Sequence, residues 1–586
     1  MKINPATLVD GYKIDHRRQY PHGTEIVVSN LTARSTRRKN TDKVVFAGLQ
    51  YFLKEFLINQ WNENFFKQDI EKVAADFNRR INNYLGPNQV GDEHIRALHK
   101  LGYLPIEIVA LPEGTEYPIK VPSMMIWNTE KEFFWVTNYL ETILSATIWG
   151  ICTSATTAHQ YKKIFTKYAL ETVGNTDFVQ WQGHDFSFRG MFGLEAACMS
   201  GAGHLFSFTG TDTIPAIDFL EQYYNADSDK ELVGGSVSAT EHSVACSTIL
   251  DFVNKIRIDK NGEITEDELM NLADIEYVRH LITEVYPTGI ISIVADSFDY
   301  WNTITNTAKV LKGAILARDG KVVFRPDTGD PVKVVVGEVY KDYTKDCKDI
   351  ETAKKWAAEM IVDTVRTETP HGESGDYQVE CIFKYEDKHY KVKVEIEWNR
   401  YDKQYYYIDG HSIIGFSETN LLPEQKGSVE CLWEIFGGTI TEKGYDLLDS
   451  HVGLIYGDSI TLERADQICD GLKKKLFAST NMVYGTGSYS YQFVTRDTDG
   501  YAVKATWAQI NGEPMEIFKS PKGAEFKKSA KGLTAVFKDE KGEFYLKDQA
   551  TWDEVLNCEF VKVFENGRLV KDYSLSEVRN ALKRYL

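Results

Sequence analysis

One stretch decides the fold class of this chain: residues 290–299 read IISIVADSFD, an apolar run that ends in an acidic turn. The run from Ile290 to Ala295 has the length and composition of a strand. Asp296 follows it directly. In parallel α/β sheets and barrels, ligands bind outside the carboxyl ends of the strands, so this turn is predicted to face a ligand.

The same pattern recurs beyond residue 180, where a short apolar run leads into a Gly-rich or acidic turn and then into a helical pattern. The other copies are residues 205–213 (LFSFTGTDT), 322–330 (VVFRPDTGD), 452–459 (VGLIYGDS) and 482–488 (MVYGTGS). Each apolar run is predicted to be a strand and each polar turn to lie at its end. Any one turn of this composition also suits an ordinary helix cap. Together the turns predict one site, at which helix N-termini offer N–H groups to anions.

A histidine stands in a further loop of small residues, 235–243, which reads GSVSATEHS. An imidazole beside a carboxylate can move protons, attack phosphorus as a nucleophile, or serve as a hydrogen-bonded core residue. His242 is therefore a candidate catalytic residue whose role depends on the groups around it.

Changes in composition and hydrophobic spacing along the chain predict four segments. Residues 1–180 form an N-terminal segment with a strand at Ile26–Val28 and long helices within Phe46–Leu57 and Phe133–Tyr168, and residues 490–586 form a C-terminal segment. Residues 181–489 form a barrel-like catalytic domain. Residues 332–430 interrupt it with a helix from Ile350 to Val365, alternating strands near 390–398 and 405–408, and a mobile loop at 370–375.

Composition narrows the class of protein. With 586 residues, 43% hydrophobic content and a formal net charge of -18, the chain is a globular protein that does not bind nucleic acid over its whole surface. The eight cysteines form no Cys-x-x-Cys pair, so neither a zinc site nor a disulfide framework is predicted. No apolar run approaches the length of a membrane span. A cytoplasmic protein without a membrane partner is expected.

Two basic clusters stand out in this acidic chain. The first contains Arg34, Arg37, Arg38 and Lys39, and the second contains Lys504, Lys519, Lys522, Lys527, Lys528 and Lys531. Such clusters usually face water, and they bind phosphate only where other groups support it.

Read together, these pieces resemble the nicotinamide phosphoribosyltransferases, a branch of the type II phosphoribosyltransferase family. The motifs that carry the resemblance are residues 10–13 (DGYK), 184–190 (HDFSFRG), 210–213 (GTDT), 241–243 (EHS), 296–299 (DSFD), 325–329 (RPDTG), 457–458 (GD) and 495–497 (TRD). Their joint order is specific, and they span nearly the whole chain except the insertion. The resemblance implies an α/β fold of the type II phosphoribosyltransferase kind: an incomplete (β/α) barrel-like domain, an N-terminal α+β domain of residues 1–180 that is completed by residues 490–586, and here an inserted antiparallel β element.

The resemblance also implies an activity. Nicotinamide would react with phosphoribosyl pyrophosphate in the presence of Mg²⁺, giving nicotinamide mononucleotide and pyrophosphate for NAD salvage. ATP would phosphorylate the active-site histidine and so drive the reaction. In this family each site is built across a homodimer interface. The residues that would come from the second subunit, or belong to the phosphate and ATP pocket, are Tyr12, Arg34, Lys504 and Lys519.

Residue roles follow from the matched motifs. His242 matches the phosphorylated histidine, Asp296 is placed to orient its ring, and Glu241 is a weaker candidate for that task. Phe186 and Tyr12 match the pair that stacks on the nicotinamide ring, and Asp212 matches the acceptor of its amide. A carboxylate at that position would repel nicotinate and accept a hydrogen bond from nicotinamide.

The remaining matched positions serve the sugar and its phosphates. By resemblance Arg189 and Arg325 hold pyrophosphate and the ribose next to the base, and Asp327, Gly457 and Asp458 bind ribose hydroxyls or the metal shell. Ser488 and Arg496 would bind the ribose phosphate, and Ser292 completes the substrate-binding set. Arg34, Lys504, Lys519 and Lys527 would bind phosphate and ATP, while no residue is assigned as a metal ligand.

Two features depart from the family pattern. Where relatives carry a glycine run, this chain has Gly487-Ser488-Tyr489, so side chains crowd a loop that should approach phosphate with its backbone. The insertion is the second departure, and it joins two site-forming turns.

Rival functions remain. The first rival is nicotinate phosphoribosyltransferase, a relative that carries out the same kind of transfer to a base with a carboxylate group. Asp212 argues against this rival. A non-catalytic binding or signalling protein on the same fold is disfavoured, because His242, Asp296, Arg325 and Asp327 are all present. A barrel glycosidase that uses Asp296 and Asp327 would leave His242 and the arginines without a role.

Overall fold

The computed structural model describes residues 3–39, 41–260, 263–368, 375–399, 407–457, 459–519 and 530–586. Several predicted features therefore lie outside the described residues: most of the loop at 370–375, the turn at 400–402, Asp458, Lys522, Lys527 and Lys528.

The described strands, in chain order, are β1 (Thr24–Ala33), β2 (Lys43–Phe46), β3 (Ile106–Ala110), β4 (Thr115–Pro118), β5 (Pro122–Asn128), β6 (Gly183–Asp185), β7 (Gly210–Thr211), β8 (Ser238–Ala239), β9 (Thr288–Val294), β10 (Asp319–Arg325), β11 (Gly375–Tyr385), β12 (Lys388–Asn399), β13 (Tyr407–Glu418), β14 (Gly438–Ile440), β15 (Asp446–Leu448), β16 (Val452–Tyr456), β17 (Met482–Thr486), β18 (Tyr501–Ile510), β19 (Glu513–Glu516), β20 (Leu533–Lys538), β21 (Phe544–Ala550), β22 (Val561–Glu565) and β23 (Arg568–Leu569).

The described α-helices are α1 (His16–Gln19), α2 (Leu49–Tyr51), α3 (Ile70–Leu85), α4 (Glu93–Leu101), α5 (Val136–Tyr139), α6 (Glu141–Thr172), α7 (Val179–Gln182), α8 (Leu194–Leu205), α9 (Pro215–Tyr224), α10 (His242–Asp259), α11 (Glu266–His280), α12 (Tyr300–Asn302), α13 (Ala308–Val310), α14 (Lys312–Leu316), α15 (Pro331–Val336), α16 (Ile350–Glu368), α17 (Pro423–Lys426), α18 (Ser428–Phe436), α19 (Leu462–Lys474), α20 (Ser488–Tyr491), α21 (Trp552–Leu556) and α22 (Leu575–Lys583). Wider π-helical turns occur at Phe52–Gln60, Asn62–Phe66, Leu281–Val285 and Thr303–Thr307. The 3₁₀ turns are Pro5–Thr7, Gly11–Lys13, Lys131–Phe133, Phe188–Gly190, Ser479–Asn481 and Arg496–Thr498.

The chain divides into two compact units. Unit 1 comprises Met1–Val237, Gly457–Ala465 and Val483–Leu586, and unit 2 comprises Ser238–Tyr456 and Asp466–Met482. The boundaries of these units differ from those of the four segments predicted from the sequence, which remain predictions.

Unit 1 contains an antiparallel sheet whose described strands follow the order β19-β18-β1-β5-β3-β22-β23. Its strands come from both ends of the chain, and its core is rich in aromatic and branched side chains. Unit 1 also holds three parallel strands in the order β7-β6-β17. The long helix α6 runs for 32 residues without proline, as its apolar spacing predicts.

Unit 2 contains parallel strands in the order β16-β10-β9-β8. Its inserted segment is a three-stranded antiparallel sheet, β11-β12-β13, with α16 packed against it. The predicted α/β class, with barrel-type parallel strands and an inserted antiparallel element, is confirmed.

Four of the five predicted site strands are confirmed as β9, β10, β16 and β17. The prediction of a strand at 205–208 is wrong, since Leu205 ends α8 and the following residues form a turn before β7 begins at Gly210. All four residues are buried. A short buried run has the same composition at the end of a helix as in a strand, so its residues alone do not distinguish the two.

In the part of the chain that the structure describes, no helix is both long enough and apolar enough to cross a membrane.

Two buried histidines of unit 1 make a pH dependence of stability predictable. His159 is fully buried in α6, and among the described residues neither ring nitrogen of His159 or of His94 has a hydrogen-bond partner. Burial, with Lys163 and Lys162 adding to it, lowers the pKa of His159 to about 3. Burial, with Arg17 adding to it, lowers the pKa of His94 to about 4.

We therefore expect the free energy of unfolding to fall as the pH drops from about 6.5 towards 4, because the unfolded chain takes up protons that the folded chain refuses. At pH 5 each histidine should cost about 2 kcal/mol relative to pH 7.5. Urea denaturation at both pH values measures the difference. His159→Leu should reduce it and replacement of the exposed His22 should not, whereas an equal loss in all three proteins would contradict the expectation.

Candidate active site

Unit 2 holds the predicted nucleophile. His242 is the first residue of α10, and its Nε2 lies 3.1 Å from Oδ1 of Asp296, which follows β9. The Asp296 side chain is 2% exposed, whereas that of His242 is 45% exposed. A carboxylate only accepts hydrogen bonds, so Nε2 carries a proton, and in the neutral imidazole Nδ1 is then the nitrogen with a lone pair.

The other carboxylate oxygen of Asp296 is held by the neighbouring turn. The backbone N–H of Asp327 and the hydroxyl of Thr328 each donate to Asp296 Oδ2 at 2.9 Å. These bonds fix the carboxylate plane, and the carboxylate in turn orients the imidazole. Asp296 is thereby brought together with His242 as predicted, and the Asp327 turn is tied to the same pair.

Thr240 connects the histidine loop to two strands. Its N–H donates to Ser292 O at 3.0 Å, and its hydroxyl accepts from Val294 N–H at 2.9 Å. Its carbonyl accepts from Arg325 Nη2 at 2.8 Å. Arg325, the predicted phosphate-binding arginine, is thus held by Thr240, which precedes His242 by two residues.

Three polar atoms near these strand ends are buried without a partner among the described residues: Ser292 Oγ, Ser297 Oγ and Arg325 Nε. Buried polar atoms are nearly always hydrogen-bonded in folded proteins, to protein, water or ligand. Two of the three, Ser292 and Arg325, are predicted substrate-binding positions, which indicates that this part of unit 2 is built to receive polar ligand groups.

Glu241 does not join the pair. It is the N-cap of α10, is exposed, and its carboxylate accepts a hydrogen bond from the Ser243 hydroxyl. The orienting acceptor of His242 is Asp296, and Glu241 has no contact with the ring that supports its catalytic assignment.

Unit 1 holds the predicted base-binding residues. Asp212 follows β7 and its side chain is 45% exposed, while His184 in β6 is 10% exposed. His184 Nε2 lies 2.8 Å from Asp212 Oδ1, and the Ser236 hydroxyl donates to the same oxygen at 2.9 Å. The ring of Phe186 lies 4.5 Å from the His184 ring, centroid to centroid. An aromatic ring and a carboxylate therefore share one histidine as their neighbour.

The turn that carries Arg189 lies against the loop of Ser488. A Cβ built on Gly190 would lie 2.0 Å from Ser488 Oγ, so only glycine fits there. Arg189 is exposed, and Ser488 is the first residue of the short helix α20. The side chain that departs from the family glycine run thus packs beside the arginine turn.

Most of the remaining predicted residues of unit 1 that the structure describes lie at its surface. Tyr12 is 65% exposed and its ring pairs with that of His16, at 5.5 Å. Arg34 donates from Nε to Gly500 O at 3.2 Å, and Arg496 begins a 3₁₀ turn. Lys504 lies 3.9 Å from Glu141, and burial lowers its pKa while Glu141 opposes that effect. Lys519 is exposed, Gly457 is half-buried, and Asp458 and Lys527 lie outside the described residues.

Sequence reasoning did not assign a role to Thr240, His184, Ser236 or Thr328. The signal for His184 was its position in the matched motif HDFSFRG, where the strand ends. The other contacts join residues far apart in the chain, such as Thr328 with Asp296, and no local pattern indicates them.

Comparisons with known proteins identify the family of this chain. Residues 181–359 and 417–559 match the model of the nicotinate phosphoribosyltransferase (NAPRTase) family, and residues 4–108 match the N-terminal domain of nicotinamide phosphoribosyltransferase. The family match skips 360–416, which lies inside the predicted insertion.

Two curated relatives extend over most of the chain. A nicotinamide phosphoribosyltransferase of Acinetobacter baylyi (strain ATCC 33305 / BD413 / ADP1) is 42% identical, with 100% of this chain and 98% of the relative covered. One of Mycoplasma genitalium is 27% identical, with 88% of this chain and 94% of the relative covered.

Among solved structures, nicotinate-nucleotide pyrophosphorylase from Pyrococcus furiosus matches with 12% identity and a TM-score of 0.46, covering 100% of this chain and 95% of that one. The resemblance found in the sequence is confirmed by the family model and by the 42% identical relative. The chain therefore belongs to the nicotinate phosphoribosyltransferase family and is a phosphoribosyl-transferring enzyme that carries the N-terminal domain of nicotinamide phosphoribosyltransferases.

Proposed function

We propose that this enzyme transfers the phosphoribosyl group of phosphoribosyl pyrophosphate to nicotinamide, releasing pyrophosphate, and that ATP phosphorylates His242 to drive the reaction. The single observation that carries the choice of base is Asp212, a half-exposed carboxylate beside the Phe186–His184 pair. A carboxylate accepts from the N–H₂ of an amide and repels the carboxylate of nicotinate. The names of the curated relatives support the same base.

In the transfer step, the pyridine nitrogen of nicotinamide forms a bond to C1 of the ribose as the bond from C1 to the pyrophosphate oxygen breaks. Phe186 and Tyr12 stack on the ring, and Asp212 accepts from its amide. Negative charge grows on the departing pyrophosphate, and Arg325 and Arg189 supply guanidinium groups that bind phosphate in a bidentate manner. The Thr240 carbonyl holds one Arg325 nitrogen, which limits its movement before substrate binds.

In the coupling step, His242 Nδ1 attacks the γ-phosphorus of ATP, and ADP departs. Asp296 keeps the ring oriented through Nε2 and stabilises the positive charge of the phosphorylated imidazole. Water later takes the phosphoryl group and releases phosphate. The basic residues Arg34, Lys504, Lys519 and Lys527 are proposed to bind the nucleotide phosphates.

Mg²⁺ fits this chemistry as an ion that accompanies the phosphates. Among the described residues no group of three or more His, Cys, Asp or Glu could hold a metal ion. Mg²⁺ commonly keeps several waters and is bound by one or two carboxylates together with substrate phosphates. The exposed carboxylate of Asp327 is the proposed protein ligand, and the ion would neutralise charge on the pyrophosphate.

We further propose a cytoplasmic homodimer. Among the described residues no cysteine forms a disulfide, which suits a reducing compartment. Unit 1 exposes Phe192, Leu194 and the stacked pair Tyr489 and Phe493, and an exposed apolar patch of this kind supports an interface with a second copy.

The proposed function is tested with the unmodified enzyme. Initial rates of pyrophosphate release are measured with phosphoribosyl pyrophosphate, Mg²⁺ and either nicotinamide or nicotinate, with and without ATP. We expect release that requires nicotinamide, rises with ATP and is at least about 100-fold slower with nicotinate, since like charges in contact cost several kcal/mol. Faster release with nicotinate would favour the rival enzyme, and no release with either base would favour a non-catalytic protein.

A further inference from the structure

The preference for an amide depends on how the Asp212 carboxylate is turned. A carboxylate on a short side chain at the surface rotates freely unless other groups hold it. Here two donors reach Asp212 Oδ1 from different elements: His184 Nε2 from β6 at 2.8 Å and the Ser236 hydroxyl from the loop before β8 at 2.9 Å. The backbone N–H of Asp212 also donates to Asp185 O at 2.9 Å, so both its main chain and its side chain are fixed.

The ring of His184 is itself confined. It is 10% exposed, and a Cβ built on Gly210 would lie 2.7 Å from its Nδ1, so the ring occupies space that only glycine leaves open. A further neighbour is the Phe186 ring, at a centroid distance of 4.5 Å. The imidazole therefore contacts both groups that the proposed function gives to the base.

We propose that His184 is a positioning residue for base selection: as the Nε2–H tautomer, and helped by Ser236, it turns the Asp212 carboxylate to accept from an amide, and it supports the Phe186 ring. This inference rests on the proposed function and assigns His184 no contact with the reacting atoms. Because Asp212 accepts only, the hydrogen of the shared bond comes from the imidazole. A hydrogen bond to a charged group is stronger than one between neutral groups, so its loss should be measurable in base binding.

The test compares His184→Leu, His184→Gln and Ser236→Ala with the unmodified enzyme. Leucine keeps the apolar contact with Phe186 and removes the donor, while glutamine keeps an N–H donor of similar reach. For His184→Leu we expect a KM for nicotinamide that is raised about tenfold, an unchanged KM for phosphoribosyl pyrophosphate, and a nicotinamide-to-nicotinate preference reduced about tenfold. His184→Gln should recover most of the preference, and Ser236→Ala should lose it by roughly threefold.

A role in folding alone would change thermal stability and both KM values together, so the melting temperature is measured for every variant. The inference is overturned if His184→Leu keeps the preference of the unmodified enzyme, or if glutamine does no better than leucine at equal stability. Should His184→Leu fail to fold, the other two variants decide: an unchanged preference in Ser236→Ala overturns the shared hold on Asp212. If the unmodified enzyme forms no product from nicotinamide, the proposed function fails and this inference falls with it. If only the variants behave otherwise than expected, the proposed function stands without the inference.

Discussion

His242→Ala is expected to carry no phosphate after exposure to ATP and to form product no faster with ATP than without it. The structure gives the reason: Asp296 engages Nε2, and Nδ1 is the lone pair that can attack phosphorus. Removing a covalent nucleophile removes the whole coupled route, so the ATP-dependent part of the rate should fall by roughly 10²-fold or more.

Labelled ATP reports whether the phosphoryl group is transferred to the protein. Treatment with acid and with base then identifies the modified residue type, because a phosphohistidine is labile in acid and stable in base. His280→Ala is the matched control, since it removes another histidine of unit 2, one that pairs with Glu284 on the protein surface. Label that remains on His242→Ala with the same acid lability would place the modification on a different residue and refute the coupling mechanism.

The second large effect is expected at Asp212. Asp212→Asn removes the negative charge and keeps the size, so nicotinamide loses a charged acceptor and nicotinate loses a repelling neighbour. Both changes act in the same direction, and the ratio of kcat/KM for nicotinamide to that for nicotinate should fall by roughly 100-fold or more. Initial rates with each base at saturating phosphoribosyl pyrophosphate give the ratio.

Asp218→Asn controls for the change of net charge, since Asp218 is an exposed residue of α9 in the same unit. Its ratio should equal that of the unmodified enzyme. If Asp212→Asn keeps the full preference for nicotinamide, the discrimination arises elsewhere and the role of this carboxylate is refuted. Asp212→Ala removes the acceptor altogether, so it should bind nicotinamide more weakly. It should gain less activity with nicotinate than Asp212→Asn does.

The sequence predicted the site strands well where burial and turn chemistry coincide. The strand predicted at Ile290–Ala295 is β9, which ends at Val294, two residues before Asp296, and is buried from Ile291 onward. The failure at 205–208 has a physical cause, because the end of α8 is as buried as a strand. β11 was not predicted at all, although it pairs with β12 along Gly375–Tyr385. The signal that was missed is the alternation of apolar residues along this strand, at Tyr377, Val379, Cys381, Phe383 and Tyr385.

The pairing of His242 with Asp296 was predictable from the sequence, whereas the groups that hold this pair were not. Asp296 could be placed as a partner of His242 because strand ends gather at one edge of a parallel sheet. The bonds from Asp327 N–H and from Thr328 to Asp296, and from Arg325 to Thr240, depend on backbone positions in separate turns. Such contacts are set by tertiary structure, and no spacing in the sequence encodes them.

The inserted segment has a small hydrophobic core of its own. Phe383, Val392, Val394 and Ile396 of the three-stranded sheet pack with Ala353, Ala357 and Ala358 of α16. A segment that buries its own apolar side chains can open and close as one cooperative group, apart from the rest of the molecule. Amide hydrogens along β12 should therefore exchange with solvent together, at a common rate set by the stability of this module rather than by unfolding of the parallel strands that bear the catalytic turns.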